Sequence, residues 1–484
     1  MAFFDPSAIL LVLLMLLGGG VRNLASCIST ADYWRAKGVS ISVDGMIHEL
    51  TPLQAADVSR LIAGLEADDA RDRDAATERI ASLGPAMLPS LESAAKDGPP
   101  EVAARARFLI AKFHAAPKAT AIRRLMAIRT LGQLKDRKAL DMLQSLTESK
   151  EPFEADYAKA AIAAIDGKEL LAPSASDADR AADVALLPAR LDVVAQLAPL
   201  LDREFSFESL LDQVPMDAES KVKQRESATA EMVKILDAVG NVRLDALTWG
   251  FYAAPTGVPG NSMVIARAQF DFDAVCNALT ASAASTKKMD GINVFTLNDD
   301  SAVLVSPDGR VVFLVREPGG ELALETMVAA LKKGAGDLDT NADLTKLVKA
   351  VDAKAPFWAV GKISPGLRDI IGPLGEFDTA TAVGQQSLDA KHHVVTQLTL
   401  EATTPDAAKA AKAASSARDL LAQAVAKGRQ EEQLLPFLKP AVDFIAGVQV
   451  DVEGGKAKAS ASMTGFPLLP LTLGAGAQFV PGQR

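Results

Sequence analysis

Cysteine is nearly missing from this chain. Two Cys in 484 residues exclude a disulfide framework and a Cys-rich zinc module, and four His leave little material for a His-based metal centre. An excess of positive charge is missing as well. The 51 Lys and Arg stand against 61 Asp and Glu, a net charge of -10 with no long basic run, which argues against a general nucleic-acid binder. Catalytic signatures are absent in the same way. His48-Glu49 has no second His at the spacing a zinc protease helix needs, and there is no G-x-S-x-G elbow and no G-x-x-x-x-G-K-[ST] phosphate loop. Gly474-Ala475-Gly476 lacks the strand-to-helix setting of a dinucleotide site. The sequence therefore assigns no catalytic residue, no metal ligand and no cofactor, and it reads as non-enzymatic.

What is present is an ordinary globular composition, 49% hydrophobic and 23% charged, with abundant Ala that favours closely packed helices. At about 150 residues per domain the length predicts roughly three domains. Residues Ala8 to Leu17 form an unbroken apolar run followed by three glycines. As a helix this run rises only ~15–20 Å, short of a bilayer core of about 30 Å, and it suits the apolar region of an export signal. Downstream, Leu24-Ala25-Ser26-Cys27 resembles the lipobox of bacterial lipoproteins. That resemblance implies a signal over residues 1–27, lipid on Cys27 and a membrane attachment through the N-terminus. The alternative is an apolar first helix packed against a cytoplasmic protein.

After an extension at 28–51, residues 52–166 carry one recurring pattern, opened by Thr51-Pro52 as a helix start through Leu65. Ala is followed by an apolar residue at i+4 and another at i+7: Ala76/Ile80/Leu83, Ala106/Ile110/Phe113, Ala127/Leu131/Leu134 and Ala158/Ile162/Ile165. That spacing lays an apolar stripe along each helix, with the small Ala admitting a close neighbour. Short Gly/Pro breakers separate the helices, as in a stacked helical array. Leu131-Gly132-x-Leu134-x-Asp136-x-x-Ala139-Leu140-x-x-Leu143 is similar to the HEAT-like repeats related to phycobilisome lyases. The resemblance implies a protein-binding scaffold. A plain packing module is the other reading of the same pattern. The charged runs Asp68–Asp74 and Arg123-Arg124 read as solvated faces.

Residues 167–183 lack periodicity and read as a linker. Beyond them the period shifts from 3.6 towards 2. The expected order is strand, helical excursion, strand, strand, helix, strand, strand, first over 184–340 and again over 341–466. Phe357–Lys362 corresponds to the first strand, Thr379–Leu388 to Leu244–Tyr252, and His393–Ala402 to Met263–Phe270. Helix Ala407–Ala426 corresponds to Phe272–Ser282. The fold class expected is α+β and multidomain: a helical array followed by a duplicated α+β module of mostly antiparallel sheets. The arrangement resembles exported bacterial proteins of uncharacterised function with tandem α+β units. The tail 467–484 reads as irregular.

The remaining polar and aromatic residues read as structural. His392 and His393 point to opposite faces of a strand, and His48 and His114 are solitary. Asp299-Asp300 sits in a turn, Cys276 is a buried thiol, and Trp249 and Trp358 are core or interface aromatics. The expected function is an exported cell-envelope scaffold whose helical repeats bind another protein. Two alternatives are a carrier of an apolar small ligand in a cleft between the two α+β halves, and an envelope-polymer hydrolase whose site is dispersed in sequence.

Overall fold

The computed structural model describes residues 23–51, 55–114, 116–151, 153–168, 175–198, 217–252, 262–298, 301–315, 324–365, 368, 375–388, 394–432 and 439–464. The apolar run at 8–17, Pro52, Asp299-Asp300, His392, His393 and the tail from 465 lie outside the described residues. Ten α-helices precede the first strand among the described residues: α1 (Thr30–Ala36), α2 (Val43–Leu50), α3 (Ala55–Gly64), α4 (Ala70–Leu83), α5 (Leu88–Asp97), α6 (Pro100–His114), α7 (Ala119–Leu134), α8 (Leu140–Leu146), α9 (Glu154–Ile165) and α10 (Asp177–Val184).

Local chemistry sets their ends. Ser29, Ser42, Asp69 and Ser176 each accept a backbone N–H in the first turn of the helix that follows. Thr51, read from sequence as a helix start, instead closes α2, its N–H donating to the Ile47 and His48 carbonyls. Each expected stripe falls within one helix, and Ala106, Ala127 and Ala158 are fully buried. Leu134 departs from the pattern at 40% exposure. Gly132 explains one close crossing: a Cβ there would sit 2.9 Å from Ala161 Cα, so α7 and α9 approach at a distance only glycine permits.

The sheet begins at β1 (Val193–Leu197) and continues with α11 (Ala218–Val239), β2 (Arg243–Phe251), β3 (Ser262–Gln269), α12 (Phe272–Ser282), β4 (Ser285–Met289), β5 (Ile292–Asn298), β6 (Ser301–Val305) and β7 (Arg310–Val315). Then come α13 (Leu324–Lys333), α14 (Ala342–Ala350), β8 (Phe357–Lys362), β9 (Thr379–Leu388), β10 (Val394–Thr403), α15 (Ala407–Glu432), α16 (Lys439–Ala446), β11 (Gln449–Glu453) and β12 (Lys456–Thr464). All twelve strands form one antiparallel sheet in the order β11-β12-β10-β9-β8-β1-β2-β3-β7-β6-β5-β4.

From the centre outwards the two sides read alike, β1-β2-β3-β7-β6 on one and β8-β9-β10-β12-β11 on the other, with the β4–β5 hairpin added to the first. An α+β fold is the result. The two sides are not separate sheets facing a cleft, because β1 and β8 pair antiparallel from Val193↔Gly361 to Leu197↔Phe357. A backbone hydrogen-bond ladder occupies the boundary where sequence reasoning placed an apolar cleft.

Alternation assigns the faces. Val194, Met263, Ile265, Val312, Leu314, Trp358 and Val360 share a core with Leu186, Leu187 and buried residues of α13 and α14 on one face. On the opposite face α15 lays Ala410, Ala413 and Ala414 against Ala402 and Ala457. A third cluster joins the sheet to the helical region. Leu236 of α11 and Leu247 of β2 pack in one continuous core with Trp34, Met46, Ile128 and Leu131. By contrast α3–α6 enclose their own core around Leu65, Ile80, Leu91, Ala106 and Phe113.

The segment read as a linker contains most of α10, which docks through buried charge as well as through Val184. Asp183 is fully buried in a fork of Arg267 (Nε 2.9 Å, Nη2 2.7 Å) and Arg310 (Nε 2.8 Å). Arg180 donates to the backbone carbonyls of Ala353 and Ala355 and to Asp177.

Both sheet edges carry protection against further pairing. At one edge, β4 (Ser-Thr-Lys-Lys-Met) is exposed over its first four residues. At the other, Arg418 of α15 reaches over to the Val450 carbonyl at 2.8 Å. Replacing Lys287 and Lys288 together by Val removes the charges from the first edge. The variant is expected to sediment as dimers and larger species at concentrations where the wild type does not, and unchanged sedimentation would contradict this role for the lysines.

Candidate functional site

Three places in the fold bring chemically interesting side chains together. The first lies where α1, α2 and α7 meet α11. Trp34 is fully buried, its indole N–H donates to Thr130 Oγ1 at 2.8 Å, and the Arg123 guanidinium lies 5.5 Å over its ring. Arg123 forks onto Glu49 at 2.5 and 2.8 Å, and Lys37 Nζ reaches Asp237 Oδ2 at 2.7 Å. Burial pushes the Tyr33 hydroxyl far above its ordinary range, with the Asp237 charge adding to the shift, so the phenol stays protonated. Burial also raises the Asp237 carboxyl, and Lys37 offsets only part of that rise.

A carboxyl whose folded value lies above its unfolded value adds stability at low pH and loses it as pH climbs through that raised value. The stability of Asp237→Asn relative to wild type should therefore improve as pH rises from below the ordinary carboxylate value near 3.8 through the raised one. Paired denaturation curves across that window check it, and a difference that falls with rising pH would contradict it.

The second place is a hollow of about 440 Å³ against α13, lined by Leu186, Met263, Met327 and Ala330, with Arg190 and Lys333 exposed among its residues. All of its lining residues belong to the first half of the sheet region, and none lies on β1 or β8. The third is the outer surface of α6, where Phe108 is 63% exposed on a helix whose neighbours Leu109 and Phe113 fill the α3–α6 core.

Residues singled out from sequence are scattered. Cys27 closes a 3-10 turn, Leu24–Cys27, and its side chain is fully buried in the core shared by the helices and the sheet. His48 is exposed with Nε2 3.0 Å from the Arg79 guanidinium, and His114 is exposed at the end of α6. Cys276 is 8% exposed. Burial pushes its thiol up, against the Asn293 amide that donates to its sulfur at 3.2 Å. Trp358 is buried, whereas Trp249 is 42% exposed. Among the described residues no group of three or more His, Cys, Asp or Glu is placed to hold a metal ion. Three buried carboxylates there are met by cations: Asp183 by two arginines, Glu154 by Arg124 and Asp237 by Lys37. Sequence reasoning missed these pairs, since Arg267 and Arg310 lie 84 and 127 residues from Asp183.

No family model matches the chain. No curated protein matches it either. Crystal forms I and IV of TP0453 are similar to it at 10% sequence identity, with TM-scores of 0.33 and 0.31. The matches cover 60% and 61% of this chain and 96% and 98% of those chains. That likeness is too distant to transfer a fold or a function. Among the described residues no helix is long and apolar enough to cross a membrane.

Proposed function

We propose that this chain is a non-catalytic, exported cell-envelope protein whose HEAT-like helical region binds another protein. The observation that carries the reading is the helical group α3–α6. It holds a core of its own, separate from the core that fuses the other helices to the sheet, and it presents Phe108 to solvent. An exposed aromatic on a rigid helix, anchored by buried residues on the reverse side, is the kind of group that anchors protein interfaces. The apolar run Ala8–Leu17 supports export.

The test places a photo-crosslinking residue at position 108 of the full-length chain in its own host. The expected result is one discrete adduct in the envelope fraction, absent when the probe sits at exposed Lys287. Recovery of the unprocessed chain in the cytosol alone, or no adduct at 108, would contradict the reading. A second reading, a carrier of an apolar ligand, is favoured by the Met-lined hollow. It predicts that the protein binds a fluorescent apolar probe and that Ala329→Trp, on the lining, abolishes binding. Equal binding by both would dismiss it.

A further inference from the structure

We infer that maturation leaves Asn23–Ser26 attached to the folded protein, so that Cys27 is a core thiol and not the point of lipid attachment. The four residues before Cys27 are built into the junction between the helical region and the sheet. Leu24 and Ala25 are fully buried, and Asn23 and Ser26 nearly so. The Leu24 N–H donates to the Val242 carbonyl at 2.8 Å, and the Ala25 N–H donates to Asn241 Oδ1 at 3.0 Å. Asn241 returns its amide N–H to Asn23 Oδ1 at 3.2 Å, and Asn23 forms an antiparallel bridge with Arg243 at the start of β2. From the other side the Arg129 guanidinium of α7 donates to the Ala25 carbonyl.

Cleavage between Ser26 and Cys27 would remove all of these at once. It would leave the buried Asn241 amide and the Val242 carbonyl without those donors, take an acceptor from Arg129, and open a void where Leu24 sits in the core shared by the helices and the sheet. It would also create a new α-amino group on a fully buried residue, and a diacylglyceryl group on the Cys27 sulfur has no path out of the core. The lipobox-like letters Leu-Ala-Ser-Cys are thus the letters of a buried turn: a leucine for the core, two small residues buried beside it, and a thiol that packs as a small apolar group. Any attachment of the exported protein to a membrane then runs through a part of the chain other than Cys27. That consequence rests on the export reading, whereas the retention of Asn23–Ser26 does not.

Two measurements on the full-length protein recovered from its host test the inference. Trypsin should release the peptide Asn23–Arg35 with an unmodified Cys27. A chain that begins at Cys27 and carries the mass of a diacylglyceryl group would overturn the proposal. In a Cys276→Ser background a maleimide should label no thiol in the native protein and one per chain in urea, because unfolding exposes Cys27. A thioether-linked lipid would block labelling in both conditions, and that result would likewise overturn it. The fraction in which the chain is found decides export separately: a cytosolic chain that still yields Asn23–Arg35 refutes export and supports retention.

Discussion

Replacing Asp183 by Ala is expected to lower the unfolding free energy by about 3–5 kcal/mol, because two guanidinium groups lose the carboxylate they share inside the protein. Asp183 is fully buried, and Arg267 and Arg310 are themselves mostly covered. Each arginine keeps only a half-exposed carboxylate, Asp179 at Arg267 and Asp308 at Arg310, so the large term is the guanidinium charge left without its buried partner and not the attraction lost. Replacing all three residues by apolar side chains of similar volume should be roughly neutral, since the desolvation of the ions disappears together with their attraction. Urea unfolding of the single and triple variants measures both. If the single variant loses less than about 1 kcal/mol, as exposed pairs do, α10 is not held by this fork.

Trp34→Ala should have an effect of similar size, about 3–5 kcal/mol, through a different mechanism. The indole is fully buried, meets Tyr33 edge-on at 5.1 Å and 82°, lies beneath Arg123, and donates to Thr130. Its removal opens a void in the core that ties the helices to the sheet, so both regions should lose stability together. Trp34→Phe keeps most of the packing and loses the hydrogen bond, and about 1–2 kcal/mol is expected. Following helix and sheet signals separately during unfolding checks the coupling. Loss of the helical signal alone would show that the two regions are independent.

The contrast between these residues explains which parts of the fold were legible in the letters. Phe357–Lys362 and Thr379–Leu388 are strands with the bounds read from sequence, and α12 likewise spans Phe272–Ser282, where Asp271 caps it and Ala274, Cys276 and Leu279 share its buried side. β4 escaped because an edge strand guarded by lysines has no apolar face to display. α10 escaped because its buried side is Arg180, Asp183 and Val184, a pattern that reads as polar until its partners on β3 and β7 are known.

The candidate site was less legible still. Leu-Ala-Ser-Cys has the letters of an address and the environment of a core, and only Asn241, Arg129 and Val242, each more than a hundred residues away in sequence, distinguish the two. The expected cleft failed for the same reason. Periodicity identifies β1 and β8 as strands, but nothing local states that they pair with each other.

That pairing is the centre of the account, because it turns two similar halves into one sheet and closes the space between them. Ala195 and Ala359 stand directly opposite each other in the β1–β8 ladder, on the same face. Cross-strand neighbours of this kind lie within the reach of a disulfide. Oxidation of the double variant Ala195→Cys, Ala359→Cys should link the two tryptic peptides in nearly every molecule, with the far-ultraviolet spectrum unchanged. Failure to form that link in the folded, oxidised protein would mean that the halves do not share a continuous sheet.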